Sequence, residues 1–294
     1  MIIRKERLLY NSSKLSCFLN DGVSKDFSDV LFFGELDLKS DGDFKPLIEK
    51  VKAHALAEGK TRIIGPINES TYFDYRLKLN FFTESNYIGE PTNSSATVTR
   101  FAESGFEILK MYHSHEFKLL NSWMCRWLGC IGSLARIMVW IKGYRVKNLR
   151  ASDLLENYQS IHSIIHEIFG SNFLYSSISD KDFLRLVEEK YIPSIDEYTS
   201  VLLFSPEGEC VGFNLCLKDK DSENRALFKA HGVKRNHRLK GLTSLSLMSK
   251  SWIRLALKYR TCLACLTISG GRVDDHFHKI AFKRYDYALY ELKL

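Results

Sequence analysis

Residues 233–244 read Val-Lys-Arg-Asn-His-Arg-Leu-Lys-Gly-Leu-Thr-Ser, a basic stretch between an apolar run and a helical pattern. The preceding run, 226–233, is typical of a strand, and Gly241 is positioned to open the helix. The first amides of a helix lack intrahelical acceptors, and the helix dipole adds partial positive charge, so phosphate is favoured there. From the residues alone, two interpretations remain open: a phosphate-binding loop, or a solvated basic loop before a helix.

The sequence around this loop predicts an α/β unit in which strands and helices alternate. The predicted elements are, in chain order, a strand near 144–149, a helix from Ser152, a helix at 180–190, a hairpin at 201–217, a strand at 226–233, a helix from Gly241, a strand at 263–268, a helix at 274–280 and a strand at 285–292. The helix from Gly241 is expected to turn these side chains inward: Leu242, Leu245, Met248, Trp252, Leu255 and Ala256.

This order of elements, with Arg-x-x-Gly-x-Thr between strand and helix, resembles the GNAT superfamily of N-acyltransferases. In that family a loop reading Gln/Arg-x-x-Gly-x-Gly/Ala holds the pyrophosphate of coenzyme A with its amides, and Arg238, Gly241 and Thr243 occupy those positions here. The closing segment, Lys279-Ile-Ala-Phe-Lys-Arg-Tyr-Asp-Tyr-Ala-Leu-Tyr-Glu, is also similar to the end of the family's fold. The resemblance implies acyl-CoA, acetyl-CoA by default, bound by Val233, Arg235, Arg238, Lys240, Gly241, Leu242, Thr243 and Ser244.

The first half looks like a degenerate copy of the second. Residues 30–36 and 61–64 predict strands, and 43–58 predicts a helix between them. Residues 64–77 and the Gly-Phe that ends Phe101-Ala-Glu-Ser-Gly-Phe are similar to the leading domain of two-domain bacterial GNAT proteins, yet no phosphate-loop pattern occurs in residues 1–117.

The expected fold is therefore α/β, with tandem GNAT-like domains and mixed central sheets flanked by helices. The expected boundaries are a degenerate domain at 1–117, a connecting amphipathic helix at 118–143 and an acyltransferase domain at 144–294. A polar loop in the first half, 68–75, is available to shape the acceptor pocket.

The connecting helix carries more apolar surface than a tether requires. Three interpretations are open: a connector buried between the two domains, a wall for a long acyl chain, and a helix that binds a membrane surface or a partner. The apolar side chains that would form the acyl wall are Trp123, Trp127, Leu134, Met138 and Trp140.

The catalytic groups are less evident. The resemblance implies direct attack of a neutral amine on a thioester, which requires a proton acceptor. His231 lies on the strand before the loop and is the candidate base, while His276 and His278 are candidates for the acid; packed structural histidines are the alternative. Phe277 stands where many family members have a tyrosine, which excludes a tyrosine acid at that position, and Thr243 and Leu239 also depart from the family pattern.

Composition sets the remaining expectations. The net charge of +7 over 294 residues allows a local anion site, but a nucleic-acid binder would need interleaved exposed aromatic residues. Seven cysteines without framework spacing indicate a reducing, cytoplasmic location, and neither a signal peptide nor a membrane span is expected. No metal site is expected, because His162-x-x-x-His166 has no third ligand and Cys262 and Cys265 are expected to be core thiols on opposite faces of a strand.

Taken together, these features predict an acyl-CoA-dependent N-acyltransferase that transfers a short acyl group to a primary amine of a small molecule or peptide. A long-chain fatty acyl donor is the alternative within this enzyme class, and a carrier-protein thioester remains open as donor. The alternative from another class is a non-catalytic acyl-CoA-binding or protein-interaction module, which Phe277 and Thr243 favour.

Overall fold

Two sets of strands join edge to edge in one continuous mixed sheet. The computed structural model describes residues 3–20, 27–119 and 122–294. Within the described residues twelve strands form the sheet. In spatial order they are β1 (Ile3–Tyr10), β2 (Ser13–Asn20), β3 (Val30–Asp37), β4 (Arg62–Gly65), β12 (Ala281–Lys293), β6 (Glu107–Lys118), β11 (Thr261–Ile268), β10 (Ser222–Val233), β9 (Cys210–Asp219), β8 (Val201–Phe204) and β7 (Arg145–Asn148), with the short β5 (Leu77–Lys78) paired to β12. Helices flank this sheet, so the α/β class with mixed sheet and flanking helices is confirmed. The two expected sheets are, however, one.

The first half contributes six strands and two helices. Its elements are β1 (Ile3–Tyr10), β2 (Ser13–Asn20), β3 (Val30–Asp37), α1 (Phe44–Ala57), β4 (Arg62–Gly65), β5 (Leu77–Lys78), α2 (Ser95–Glu103) and β6 (Glu107–Lys118). The α1 helix connects two parallel strands, β3 and β4, as a crossover requires. The helical spacing predicts an inner stripe of Phe44, Leu47, Ile48, Val51, Ala55 and Leu56. All of these are buried except Leu56, which lies at the edge of the stripe and is 63% exposed.

The second half repeats this plan with additions. Its elements are α3 (Ser122–Ile141), β7 (Arg145–Asn148), α4 (Ala151–Glu156), α5 (Tyr158–Phe169), α6 (Asp180–Leu186), β8 (Val201–Phe204), β9 (Cys210–Asp219), β10 (Ser222–Val233), α7 (Leu242–Lys258), β11 (Thr261–Ile268), α8 (Arg272–Ile280) and β12 (Ala281–Lys293). Here α7 is the crossover between parallel β10 and β11. The order strand, helix, parallel strand, helix, long strand therefore occurs twice.

The two halves exchange their last strands. β12, from the second half, lies between β4 and β6, and β6, from the first half, lies between β12 and β11. The two exchanged strands pair antiparallel from Ala281↔Phe117 to Glu291↔Glu107. Each half therefore completes its sheet with a strand supplied by the other half.

The inward face expected for α7 is wrong in part. Its most buried residues are Thr243, Ser246, Leu247, Ser249, Ser251 and Leu255, of which the expectation contained Leu255 alone. The physical reason is that α7 packs against the sheet on one side and against α3 on the other, so small polar residues lie at the contacts. The Ser251 hydroxyl, for example, donates to the Thr199 carbonyl at 2.6 Å.

The interpretation of α3 as a helix buried between two domains is also wrong for its described side chains. Ala135 and Val139 are buried, but Leu134, Trp140 and Ile141 are 63%, 63% and 71% exposed. The helix approaches α7 through small residues, which leaves its opposite face bare. Trp123 and Trp127 belong to the stretch 120–128, whose side chains lie outside the described residues.

The α3–α7 contact makes a testable prediction. A Cβ atom at Gly132 would lie 2.0 Å from the Ser249 Cβ, whereas one at Gly129 on the same helix would lie 3.6 Å from the nearest atom, Ile253 Cδ1. We expect Gly132→Ala to lower the free energy of unfolding by about 1–3 kcal/mol through overpacking. Gly129→Ala is the matched control and should raise it by up to about 1 kcal/mol through helix propensity. Denaturant unfolding checks both, and equal effects would contradict the close packing described.

Candidate active site

Two β-bulges open a wedge between β10 and β11. The parallel pairing of these strands ends at Phe228↔Ala264. Immediately beyond it, the register of β10 against β9 shifts between Phe228 and Ala230, and the register of β11 against β6 shifts between Ala264 and Thr267. A bulge bends its strand and redirects a side chain. The bulges lie at the same level, so the strands separate and turn Lys229 and Cys265 towards the gap.

The wedge opens into a cavity of 810 Å³ between the two halves. The first half contributes the loop 71–76, Gly89 and Tyr112. The second half contributes α5, α6 and the turn that follows it, the wedge, Met248 and α8. The polar loop singled out in the first half therefore does line the cavity, through Thr71 to Tyr75, and the next residue, Arg76, lines it as well.

The basic loop lies at the end of β10, beside this wedge. It turns through three consecutive residues with positive φ: Leu239 at 43°, Lys240 at 54° and Gly241 at 93°. Positive φ costs a non-glycine residue of order 1–2 kcal/mol, so the loop holds two residues in a disfavoured conformation. A Cβ atom at Gly241 would meet nothing within 4 Å, which leaves open space in front of the α7 N-terminus. The backbone there is accessible to an anion.

Thr243 has a structural part in this loop. Its side chain is fully buried, and its hydroxyl donates to the His237 carbonyl at 2.8 Å. That bond ties the first turn of α7 to the short 3-10 turn Arg235–His237. The Thr243 hydroxyl therefore hydrogen-bonds within the loop. This bond explains how the loop accommodates a branched side chain where the pattern that it resembles has glycine or alanine.

The other residues predicted for the cofactor fall into two groups. Arg235, Arg238 and Lys240 are exposed, and the Arg238 Nε donates to the Val233 carbonyl at 3.3 Å. Val233 is buried and Leu242 packs against the same cluster of apolar side chains, while Ser244 is half-buried. The structure thus brings the cationic side chains of this loop to its surface and anchors the loop through the apolar ones.

His231 is held as a neutral imidazole beside the wedge. Its Nδ1 lies 2.5 Å from the Asn214 Oδ1, which fixes Nδ1 as the donor. Burial, with a contribution from the positive charge of Arg238, lowers the pKa of His231 to about 4. The imidazole is therefore uncharged near neutral pH.

The two candidate acid histidines lie on either side of Phe277 on α8. His276 lines the cavity, whereas His278 is outside its lining and packs 6.1 Å from the His115 ring. Phe277 is buried and stacks on Phe117 at 5.3 Å between ring centroids. The structure therefore brings His231 and His276 to one cavity and leaves His278 outside it.

A buried cluster next to the cavity was not predicted from the sequence. His113 and His115 lie two residues apart on β6, so both face Asp274 on α8. The Asp274 carboxylate accepts from His115 Nε2 at 2.7 Å, from His113 Nδ1 at 3.0 Å and from the Thr267 hydroxyl at 2.7 Å. Burial would raise the pKa of Asp274, but these hydrogen bonds outweigh it and hold the pKa at about 2.

These three side chains also have the spacing of metal ligands, since their ligand atoms lie within 4.8 Å of one another. Hydrogen bonds within the cluster already satisfy the carboxylate, and burial lowers the pKa of His115, so this imidazole is neutral. The arrangement joins the start of α8 to β6 and β11. It fixes the wall of the cavity.

Lys229 is a further cavity residue that the sequence did not single out, and Cys265 was expected there only as a core thiol. Burial lowers the pKa of Lys229, and the nearby Lys190 and Arg76 charges lower it as well. Burial raises the pKa of the Cys265 thiol to about 12, so this sulfur is protonated. Cys265 lines the cavity, which corrects its interpretation as a core thiol: the bulge turns it out of the regular strand alternation.

The corresponding wedge of the first half is closed. β3 and β4 separate after Phe32↔Ile64, but Ile67 then donates from its amide to the Phe33 carbonyl at 2.8 Å. A Cβ atom at Gly34 would lie 2.2 Å from the Ile67 carbonyl oxygen, so the two backbones are in contact. The loop between β3 and α1 is acidic on balance, with aspartates at 41 and 43 and one cation, Lys39. The backbone contact leaves this wedge without space for a ligand.

Comparison with solved structures identifies the fold. A conserved protein of unknown function from Enterococcus faecalis, described as a probable N-acyltransferase, superposes with a TM-score of 0.53 at 8% identity, over 96% of this chain and 62% of that one. A GCN5-related glucosamine N-acetyltransferase region of a fungal multi-domain GH3 beta-N-acetylglucosaminidase has a TM-score of 0.50 at 9% identity, over 95% of this chain and 31% of that one. The chain has the GNAT fold.

A GCN5-related N-acetyltransferase from Sphaerobacter thermophilus has a TM-score of 0.47 at 10% identity, over 95% of this chain and 76% of that one. No protein-family model matches the sequence, and no curated protein sequence matches it. Among the described helices, none combines the length and apolar character needed to cross a membrane. The GNAT fold expected from the sequence is confirmed by the solved structures at the level of the fold.

The state of His231 makes a prediction about acid stability. Its folded pKa of about 4 lies below the 6.5 of an exposed histidine, so the unfolded chain takes up a proton first as pH falls. The free energy of unfolding should therefore fall between pH 6.5 and 4, by up to about 2 kcal/mol at pH 5. We expect His231→Gln to lose less stability between pH 7.5 and 5 than the wild type, and His278→Gln to behave as the wild type. Identical pH dependence in all three proteins would contradict a buried neutral His231.

Proposed function

We propose that the protein is an acyl-CoA-dependent N-acyltransferase that moves an acyl group from a thioester to a primary amine of a small molecule or peptide. The observation that carries this proposal is the open wedge between β10 and β11, which opens into a cavity of 810 Å³, together with the basic loop and glycine-opened helix N-terminus that directly follow β10 in the chain. The basic loop suits the pyrophosphate of coenzyme A, and the cavity suits the thioester and the attacking amine. The fold supports the proposal, because proteins described as N-acyltransferases share it.

The residues of the basic loop fit coenzyme A. The Gly241 and Leu242 amides donate to the Arg238 and Leu239 carbonyls, so an anion would use the later amides of the first turn of α7, and the space in front of Gly241 is free. Arg235, Arg238 and Lys240 would add charge-assisted contacts to the phosphates. Bound acyl-CoA would supply the thioester carbonyl that the amine attacks, and acetyl-CoA is the default donor.

His231 is the proposed proton acceptor. Because its Nδ1 hydrogen is donated to Asn214, the opposite nitrogen, Nε2, carries the free lone pair. A neutral imidazole can accept the proton that an attacking amine releases. His276 is the proposed proton donor at the other wall of the cavity, with His278 the less favoured because it lies outside the lining.

The first test is of coenzyme A binding. We expect coenzyme A to raise the Tm of the wild type, and Gly241→Val to abolish that shift because a branched side chain would cover the amides. Gly208→Val is the matched control: Gly208 has φ of +85° against +93° at Gly241, and neither has a neighbour within 4 Å of a Cβ position. Both variants therefore carry similar backbone strain. A coenzyme A shift that survives in Gly241→Val would place the cofactor elsewhere.

The same titration by calorimetry tests the division between the halves. We expect one coenzyme A per chain, because the wedge of the first half is closed by the contact of Gly34 with Ile67.

The second test is of turnover and of the donor. Release of free thiol from acetyl-, octanoyl- and palmitoyl-CoA is measured with a panel of primary amines and short peptides. We expect kcat/KM to stay level or fall with chain length, because the described side chains of α3 lie outside the cavity. A rise of roughly fourfold for each methylene would instead support the long-chain alternative. Binding without amine-dependent thiol release would support the non-catalytic module, which the buried Phe277 favours.

A further inference from the structure

Arg76 is a buried cation at the wall of the cavity. Its residue is 4% exposed, and its guanidinium carbon lies 3.6 Å from the centroid of the Tyr75 ring and 4.1 Å from that of Tyr112. The two rings lie at 88° to one another, so they contact the guanidinium from two adjacent directions. Arg76 and both tyrosines line the cavity.

The hydrogen-bonding groups of this guanidinium are not satisfied within the part of the chain that the structure describes. Its Nε and Nη1 are buried without a hydrogen-bond partner. Arginine stays charged in proteins, and a buried charge without a partner is strongly destabilising. Cation–π contact with the two aromatic rings offsets part of this cost but leaves these N–H groups unused. An orphaned donor of this kind needs an acceptor from outside the chain.

Two lysines face the same region. A Cβ atom at Gly89 would lie 3.4 Å from the Lys229 Nζ and 3.5 Å from the Lys190 Nζ, so both ammonium groups converge there. The β10 bulge turns Lys229 into the cavity, and the charge of Arg76 is near enough to lower the pKa of Lys229. Three cations therefore share one end of the cavity.

Among the described residues, the carboxylates of the cavity wall pair with one of the three cations. Asp74 pairs with Lys190 at 3.1 Å. Asp274 is occupied by hydrogen bonds from His113, His115 and Thr267. Arg76 and Lys229 remain without an ion-pair partner among the described residues. Planar arginine and a flexible lysine are together suited to the oxygens of a carboxylate or phosphate group.

We infer that this end of the cavity, formed by Arg76, Lys190 and Lys229, is a binding site for an anionic oxygen group, and that the acyl acceptor is an amine carrying a carboxylate or phosphate. The anion site stands on the geometry alone. Its assignment to the acceptor rests on the proposed acyltransferase function, since the same cavity receives the reacting amine.

The anion site is tested without any acyl donor. Malonate and inorganic phosphate, as carboxylate and phosphate probes, are titrated against the Tm, with chloride at equal ionic strength as reference. We expect Arg76→Gln to weaken the binding of the effective probe at least tenfold. Arg238→Gln is the control, because it removes an arginine from the basic loop and leaves the cavity intact. Whichever probe acts identifies the acidic group.

Two outcomes overturn the anion site: equal stabilisation of the wild type and Arg76→Gln, or a loss in Arg238→Gln alone. The latter would assign the anion to the basic loop. If Arg76→Gln does not fold, Lys229→Gln tests the anion site in its place. The Lys229 ammonium faces the same region, and its replacement leaves the contacts of Arg76 with the two rings in place.

The acceptor assignment is tested by thiol release from acetyl-CoA. Aspartyl and phosphoseryl dipeptides are compared with their asparaginyl and seryl counterparts. We expect an acidic acceptor to exceed its neutral counterpart at least tenfold in kcat/KM, and Arg76→Gln to reduce this ratio towards one. Equal rates would overturn the acidic acceptor while leaving the anion site in place. Absence of all thiol release with the anion site intact would instead reject the proposed acyltransferase function.

Discussion

The antiparallel ladder between β6 and β12 is the constraint on which the rest of the structure depends. Each strand belongs by chain position to one half and by pairing also to the other, because β12 borders β4 and β6 borders β11. Their shared ladder runs from Ala281↔Phe117 to Glu291↔Glu107 at the centre of the sheet. β6 also carries Tyr112 to the cavity lining, and it carries His113 and His115 to Asp274, which belongs to that lining. Loss of this pairing would remove one wall of the cavity as well as the contact between halves.

The two halves share the same order of elements but differ at the wedge between their crossover strands, which is open in the second half and closed in the first. In the second half, bulges beyond Phe228↔Ala264 separate the crossover strands, and the next loop is basic. In the first half, the chain after β4 folds back on β3 through Ile67, and the next loop is acidic. The first half still contributes to the site. The loop that follows Ile67 lines the cavity between the halves, and Arg76 belongs to that lining. The second half therefore provides the open wedge, and the first half provides part of the wall of the cavity in front of it.

The sequence predicted local structure well where a periodic pattern met a clear stop signal. The α1 helix and the strands around it, the 201–217 hairpin, β11 and β12 were all indicated by spacing and by turn residues. The strand exchange could not be predicted, because pairing partners more than 160 residues apart leave no mark on local periodicity. The buried face of α7 was misjudged because serine and threonine became its most buried residues where α3 approaches.

The site was predicted in the same uneven way. The basic loop has a compact signature, since its charges and glycine are adjacent in sequence. Arg76, Lys229 and Asp274 come from three distant segments, and two of them are positioned by a bulge or a short loop, which no spacing rule captures. Alternation also failed for Cys265, because a positive φ of 58° at Leu266 breaks the strand period beside it. Signals that could have found these residues exist only in three dimensions.

The exchange of strands has a consequence for how the chain is made. During synthesis the first half emerges with β4 lacking the neighbour that it has in the final sheet, and that neighbour begins at Ala281. Until then the edge of β4 presents free backbone groups, which other strands can capture. A growing chain must therefore keep this edge open for more than 200 residues of translation, with its own β6 as a nearby competitor. Rapid local pairing is a hazard for this fold, and a pause or a chaperone that shields the edge favours the correct partner.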